Sequence, residues 1–214
     1  NLLSMFLDTE TIVEITLQPV IRYDLDASII FSDILIIPYL MGSPISFSEN
    51  KNGPSVVFNV NEKTNFSKAQ PIYNAIKIVK EKNSKPLIGF AGGVWTTIYY
   101  CLFNTEERKK ITSKIIKDHE KKINQLIPLF TETIIHHAIN QINSGIDIFQ
   151  IFESWSGLLN ETQFNNWCLE PANEIFSALQ EHKTYTIGFP REASLENYIR
   201  YSKIKNLNCL SLDT

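Results

Sequence analysis

The chain has few cysteines, no long apolar run and no excess of either charge. None of its three cysteines forms a Cys-x-x-Cys pair, which excludes a disulfide scaffold or a zinc knuckle and favours a reducing compartment. Its longest apolar stretch, at residues 34–41, is far shorter than the roughly 20 residues of a membrane-spanning helix. With 20 Lys+Arg against 23 Asp+Glu, the net charge of −3 argues against nucleic acid or an anionic membrane as partner.

The composition is that of a globular domain. The 214 residues are 43% apolar and 20% charged, which is enough for a sizeable core and predicts one domain over residues 1–214. The first residue is Asn1 and not methionine, so the sequence supports no prediction about a targeting segment.

Short apolar runs alternate with longer segments of helical periodicity along the chain. The predicted strands are 27–31, 86–91, 146–152, 185–188 and 209–212, and the predicted helices are 9–23, 69–82, 105–143 (as two helices), 161–182 and 195–205. Residues 42–66, rich in Ser, Asn, Gly and Pro, predict an irregular excursion with a short hairpin.

This alternation predicts an α/β fold with a parallel sheet covered by helices. A complete (β/α)8 TIM-type barrel takes about 250 residues and eight strands. We therefore expect an incomplete barrel of about five strand–helix units. An open doubly wound sheet is the alternative, although no Gly-x-Gly-x-x-Gly motif or P-loop follows a predicted strand.

A single carboxylate, Asp33, follows the first predicted strand. Because side chains alternate along an extended chain, Ile29, Phe31 and Asp33 share one face, and the carboxylate lies beside an apolar wall. Capping of the next helix by Asp33 explains the same spacing equally well.

Two more strand ends carry residues that suit a ligand. Gly92 and Gly93 follow the second strand, where their small size would let a ligand approach and leave exposed amides as donors. At the third strand end, Phe152, Glu153 and Ser154 combine an aromatic ring, an acid and a hydroxyl. Ser154 has no elbow motif or nearby histidine pattern, so we expect no nucleophilic role for it.

Several motifs occur in the order and with the spacing of one known family. They are Gln18-Pro19, Phe31-Ser32-Asp33-Ile34-Leu35, Gly89-Phe90-Ala91-Gly92 with Trp95-Thr96, Phe152-Glu153-Ser154 and Gly188-Phe189-Pro190-Arg191. The set spans nearly the whole chain and resembles the uroporphyrinogen decarboxylase family. The resemblance implies a (β/α)8 barrel and a cytoplasmic homodimer. It also implies decarboxylation of the four acetate side chains of uroporphyrinogen III to give coproporphyrinogen III, without metal or organic cofactor.

The same resemblance implies roles for individual residues. Asp33 is the catalytic group that accepts the pyrrole N–H donors of the tetrapyrrole, and Tyr100 and Ser154 hydrogen-bond substrate carboxylates. Ile29, Phe31, Phe90 and Phe152 are implied to line an apolar cleft for the macrocycle, and the region of Gly92 is implied to let the macrocycle in. The chemistry of Asp33 suits this role, because an ionised carboxylate is purely an acceptor.

The chain also departs from the family pattern. An Arg-Gln-Ala-Gly-Arg segment and a late histidine are expected before Asn1 and beyond Thr214. Residues 101–105 stand where the family has a Gly-Gly-x-Ser-Ser loop, and Val94 replaces a proline. We therefore expect these 214 residues alone to bind substrate poorly and to turn over little.

Two other functions remain open at this point. Related zinc-dependent methyltransferases need a His-x-Cys pair, which this chain lacks, and its adjacent His136 and His137 diverge by about 100° on a helix and cannot share one metal. We accordingly predict no metal site. The second alternative is a non-catalytic paralogue that binds tetrapyrrole or dimerises.

Overall fold

The computed structural model describes residues 2–47, 53–59 and 63–213. The strands are β1 (Ser28–Ile29), β2 (Ile45–Phe47), β3 (Pro54–Val56), β4 (Leu87–Gly92), β5 (Ile148–Glu153), β6 (Tyr185–Pro190) and β7 (Cys209–Leu210). The α-helices are α1 (Leu2–Met5), α2 (Thr9–Tyr23), α3 (Ile36–Leu40), α4 (Gln70–Lys82), α5 (Val94–Leu102), α6 (Thr105–Arg108), α7 (Ser113–Asp118), α8 (Glu120–Ser144), α9 (Glu161–Phe164), α10 (Glu170–Ala178) and α11 (Leu195–Tyr201).

The central sheet is parallel and its strands follow chain order. The order is β1-β4-β5-β6-β7, and only the antiparallel hairpin β2–β3 stands apart from it. A doubly wound sheet reverses its strand order at a switch point, whereas successive strands of a barrel are neighbours. The observed order therefore confirms the α/β class and the incomplete barrel of about five strand–helix units, and it argues against the doubly wound alternative.

Local signals account for the first long helix. The Asp8 side chain accepts a hydrogen bond from the Thr11 amide at 2.9 Å, which caps α2. Ile12, Val13 and Thr16 form its buried side, and the helix ends at Asp24 in the left-handed conformation. The predicted helix at 9–23 is thus confirmed, including its internal proline.

Other elements differ in detail from the prediction. The predicted helical region 105–143 contains three helices, because Asn104 caps α6 and Thr112 caps α7 ahead of α8. The region 161–182 is interrupted by a π-helical turn at Asn165–Leu169. The hairpin expected within 42–66 is confirmed in β2 and β3, while residues 48–52 and 60–62 of that excursion lie outside the described residues.

Strand β1 is shorter than the predicted 27–31. It pairs with β4 only at Ser28 and Ile29. Beyond this point the side chain of Gln141, from α8, hydrogen-bonds to the backbone of Phe90. Its Oε1 accepts the Phe90 N–H at 3.1 Å, and its Nε2 donates to the Phe90 carbonyl at 3.0 Å. The chain leaves the sheet after Ile30, whose amide still donates to the Ile88 carbonyl at 2.9 Å, and the Phe31 amide donates instead to the Thr16 hydroxyl of α2 at 2.9 Å.

The main core lies between the sheet and the helices that follow each strand. Ile30, Leu87, Phe149 and Ile151 are at most 1% exposed and pack against buried side chains of the helices. In the described part of the chain, no helix carries an apolar stretch long enough to cross a membrane.

Candidate functional site

One face of the five-stranded sheet is left uncovered by the described helices. Residues alternate along each strand, and those opposite the core remain accessible, with Ile29 44% and Tyr185 67% exposed. We call this side the open face. By the same alternation it carries Ile29, Ile88, Phe90, Ile148, Gln150, Phe152, Tyr185, Ile187 and Phe189, and the polar Gln150 is buried beside Phe90. The structure thus brings together Ile29, Phe90 and Phe152, three of the residues predicted to line an apolar cleft, whereas Phe31 lies beyond β1.

A row of aromatic rings crosses the open face. Phe90 and Phe152 meet edge to face with ring centroids 5.5 Å apart, and Phe152 meets Phe189 in the same way at 6.1 Å. Phe31 packs at 5.0 Å against Phe6, which comes from the N-terminal segment. Such rings offer a ligand with an apolar body a large contact area.

Asp33 lies between β1 and α3. Its Oδ1 accepts the Leu35 amide at 2.8 Å, which closes a local turn ahead of α3. The N-cap of α3 is Leu35 and no side chain caps this helix, so the predicted capping by Asp33 is wrong. Its Oδ2 takes no hydrogen bond from the described residues, and none of their basic side chains forms an ion pair with it. Burial raises the pKa of Asp33, and the Leu35 amide opposes that rise. One carboxylate oxygen is therefore fixed locally and the other is available to a ligand.

Gly92 contributes to the placement of this turn. A Cβ atom at Gly92 would lie 2.9 Å from Ile34 Cβ and 2.8 Å from Thr97 Oγ1. The absent side chain makes room for Ile34, and it thereby lets the segment that carries Asp33 approach the end of β4. Gly92 is buried in this structure, and its role in substrate binding stays a prediction.

The prediction of exposed amides at Gly92 and Gly93 is wrong. Both glycines are buried, and the Gly93 amide donates to the Phe152 carbonyl at 2.9 Å. A Cβ atom at Gly93 would overlap the carboxyl carbon of Glu153. The absence of a side chain at Gly93 leaves room for the Glu153 carboxyl group, whose hydrogen-bond partners belong to the protein itself.

Glu153 is the residue whose importance the sequence did not reveal. It ends β5 and is 1% exposed. Its carboxylate accepts the amide of Trp95 at 3.3 Å and both the amide and the hydroxyl of Thr96, at 3.0 and 2.8 Å. The acid therefore ties the end of β5 to the first turn of α5, where the helix dipole also favours a negative charge. The only sequence signal was an acid at the end of an apolar strand.

The surroundings of Glu153 disfavour its charge. Burial raises the pKa of Glu153 to about 7, although the hydrogen bonds from Thr96 and Trp95 oppose the rise. The buried Cys168 and Tyr201 are close enough that the Glu153 charge adds to the burial that raises their own pKa values. Glu153 is thus the carboxyl group at this sheet edge that titrates near neutral pH.

Ser154 and Tyr100 are brought to the same edge of the sheet. Ser154 directly follows β5, and Trp155 beside it lies 6.3 Å from the Tyr100 ring and 4.8 Å from the Tyr99 ring. The guanidinium carbon of Arg108 lies 4.7 Å from the centroid of the Tyr100 ring. Binding of carboxylates by Tyr100 and Ser154 stays a prediction.

The adjacent histidines have separate partners. His137 is buried, and its Nδ1 is 2.9 Å from the Tyr73 hydroxyl, while the exposed His136 lies against the Phe66 ring. Within residues 2–47, 53–59 and 63–213, no group of three or more His, Cys, Asp or Glu side chains is placed to hold one metal ion.

Comparisons with known proteins agree with the motifs. The family model described as "Uroporphyrinogen decarboxylase (URO-D)" matches residues 1–214. The uroporphyrinogen decarboxylase of Rickettsia massiliae (strain Mtu5) is 35% identical over 100% of this chain and 64% of its own length. That of Orientia tsutsugamushi (strain Boryong) is 37% identical over 94% of this chain and 61% of its own length. The chain thus spans less than two thirds of the length of these relatives.

Solved structures support the fold. A methyltransferase from Methanosarcina mazei has a TM-score of 0.71 at 15% identity, covering 97% of this chain and 70% of that one. A B12-independent methionine synthase from Shewanella sp. W3-18-1 has a TM-score of 0.55 at 16% identity, covering 85% and 50%. At these identities the likeness concerns the fold alone. The family match over the full chain decides the assignment: the chain belongs to the uroporphyrinogen decarboxylase family.

Proposed function

We propose that this protein is a uroporphyrinogen decarboxylase, a carboxy-lyase that converts uroporphyrinogen III to coproporphyrinogen III without metal or organic cofactor. Family membership supports the proposal. The structural observation that carries it is the partly buried Asp33 between β1 and α3, with Oδ2 unbonded within the described residues, in a segment that packs at Ile34 against Gly92 at the end of β4.

Asp33 would recognise the centre of the tetrapyrrole. A reduced tetrapyrrole has four pyrrole N–H groups that can converge on one acceptor, and an ionised carboxylate has acceptor positions and no donor. Burial raises the pKa of Asp33 in the free protein. Several N–H donors would lower it again on binding, because hydrogen bonds to the charged form favour that form.

Loss of carbon dioxide requires a place for the electrons of the breaking C–C bond. A proton added to a ring carbon makes the pyrrole cationic, and the electron pair released with carbon dioxide then neutralises this cation. A second proton at the former acetate carbon, with loss of the first from the ring, leaves a methyl group. A fixed Asp33 carboxylate beside the pyrrole cation would stabilise that cation by about 3 kcal/mol, as preorganised charges do in other active sites.

The remaining predicted residues would orient the substrate. The hydroxyls of Tyr100 and Ser154 would donate hydrogen bonds to substrate carboxylates at the edge where β5 and α5 meet. The macrocycle would lie on Ile29, Phe31, Phe90 and Phe152, next to the end of β4 at Gly92. The edge-to-face contacts of Phe90 and Phe189 with Phe152 support this part, since they join three rings into one apolar patch on the face that also carries Gln150.

The family resemblance also supports a homodimer that acts in the cytoplasm. Sedimentation of the purified protein at twice its chain mass would support the dimer, and a single-chain mass at micromolar concentration would contradict it.

The activity can be tested with the protein expressed from its complete reading frame. Uroporphyrinogen III is supplied under anaerobic conditions, and the products are oxidised and separated as porphyrins. We expect coproporphyrin with four carbon dioxide molecules released per macrocycle, at a rate that treatment with a metal chelator leaves unchanged. Binding of the tetrapyrrole without conversion would instead favour the non-catalytic paralogue.

A further inference from the structure

Arg108, at the end of α6, makes an unusual set of contacts around Tyr100. Its guanidinium carbon lies 4.7 Å from the centroid of the Tyr100 ring. Its Nη1 donates to the Phe103 carbonyl at 2.6 Å, and its Nη2 donates to the Pro54 carbonyl at 2.9 Å and the Thr105 hydroxyl at 3.0 Å. One side chain thus connects the hairpin strand β3, the end of α5 and the ring of Tyr100.

The local sequence explains why Arg108 returns to Tyr100. The Asn104 side chain accepts the amides of Glu106 and Glu107, and the Glu107 carboxylate accepts the Asn104 amide at 2.8 Å, which forms a capping box. This box turns the chain sharply after α5 and starts α6. It lies where the sequence departs from the glycine-rich loop of the family, so the Arg108 contacts belong to this chain's own version of the loop.

The positive charge of Arg108 is not neutralised by an ion pair within the described residues. Its hydrogen-bond partners there are two carbonyls and a hydroxyl, all neutral. The charge is felt by a neighbour, because it opposes the rise that burial produces in the pKa of Tyr99.

We propose that Arg108 is a positioning residue for Tyr100. Its guanidinium, fixed by hydrogen bonds to neighbouring backbone and hydroxyl groups, holds the phenol ring by a cation–π contact so that the hydroxyl meets a carboxylate of an acidic substrate. The inference rests on the proposed function of Tyr100. A guanidinium is suited to this task because it is planar, stacks on aromatic faces and donates in a rigid fork, which a lysine ammonium cannot reproduce.

Binding of uroporphyrin III, the stable oxidised octacarboxylate, tests this role by fluorescence titration of the protein from its complete reading frame. We expect Arg108→Gln to weaken binding by about tenfold, in the range of a desolvated cation–π contact, and Arg108→Lys to weaken it less. In a Tyr100→Leu background the same Arg108→Gln change is expected to cost less than about twofold, because the residue acts through the ring. Lys109→Gln is the matched control: it removes the same charge from a neighbouring exposed side chain paired with Glu106, and binding should be unaffected.

The outcomes separate the two proposals. Equal losses from Arg108→Gln in both backgrounds, or full affinity in Arg108→Lys, would overturn the positioning role while tetrapyrrole binding stands. Failure of the unsubstituted protein to convert uroporphyrinogen III would overturn the proposed function, whereas failure to bind uroporphyrin would overturn this inference alone. A side-chain NMR signal of the Arg108 Nε–H that moves on Tyr100→Leu would support the contact without a ligand, and an unmoved signal would overturn it.

Discussion

The carboxylate of Glu153 accepts hydrogen bonds from both the amide and the hydroxyl of Thr96, at 3.0 and 2.8 Å. The two residues are 57 positions apart, and their contact fixes the end of β5 against the first turn of α5. Ser154 follows one of these elements and Tyr100 lies on the other. The orientation of both predicted carboxylate-binding hydroxyls therefore depends on one buried acid.

Glu153 should make stability depend on pH in a defined direction. Its pKa of about 7 in the folded state lies above the ordinary value of 4.5, so the folded state holds the proton more tightly. The protonated Glu153 therefore stabilises the folded state. This contribution to the free energy of unfolding is complete below pH 4.5 and is lost as the pH rises through 7, with a total change of about 3 kcal/mol. We expect the free-energy difference between the wild type and Glu153→Gln in urea unfolding to shrink by this amount over that range. A difference that stays constant with pH would contradict the assignment.

Gly93→Ala should be strongly destabilising although the backbone of Gly93 suits any residue, with φ −65°. The added methyl group would overlap the Glu153 carboxyl carbon, and overpacking of this kind costs about 3 kcal/mol. In a Glu153→Ala background the same change should cost much less, because the space is then empty. Equal costs in the two backgrounds, measured by urea unfolding, would show that another contact is responsible.

The sequence predicted the elements with local signals and missed those set by distant contacts. The capping residue Asp8 and the apolar periodicity placed α2 correctly, and the apolar runs located the strands. By contrast, the partners of Glu153 and the filling of the space beside Gly93 involve residues nearly 60 positions away, which no local pattern encodes. The length of β1 was overestimated because the sequence does not show that Gln141 completes the edge of β4.

Asp33 shows which part of the candidate site the sequence could not predict. Its spacing allowed either a helix cap or a ligand group. The structure shows that Oδ1 accepts the Leu35 amide in a turn before α3, without capping the helix, while Oδ2 stays unbonded within the described residues. The sequence pattern alone did not decide between the alternatives, because the start of α3 depends on where the chain turns after β1.

His137 should produce the opposite pH dependence to Glu153. Burial lowers the pKa of His137 to about 3, below its ordinary 6.5, so the folded state disfavours the proton. The contribution of the neutral His137 to stability is complete above pH 6.5 and is lost as the pH falls toward 3, with a loss of about 2 kcal/mol between pH 6.5 and 4.5. His137→Gln should remove this dependence in urea unfolding. The exposed neighbour His136 is the matched control, and an equal effect of His136→Gln would contradict the interpretation.

The aromatic row should contribute to tetrapyrrole binding more than to folding. Phe152 contacts Phe90 and Phe189 on the open face and is only partly buried. We expect Phe152→Ser to weaken uroporphyrin binding by about tenfold or more, in line with loss of an aromatic contact of about 1.5 kcal/mol. Phe152→Leu keeps an apolar side chain and should retain most of the affinity. Equal affinities for the Ser and Leu variants would place the tetrapyrrole elsewhere.

The most direct measurement is the decarboxylation rate of Asp33→Asn in the protein from its complete reading frame. The amide oxygen can still accept the Leu35 amide, so the turn persists, while the charge is lost and a donor faces the pyrrole N–H groups. We predict a fall in kcat of about 10²-fold or more, and no change in Asp26→Asn, which alters an exposed carboxylate before β1. Activity of Asp33→Asn within a few-fold of the wild type would contradict the central electrostatic role of Asp33.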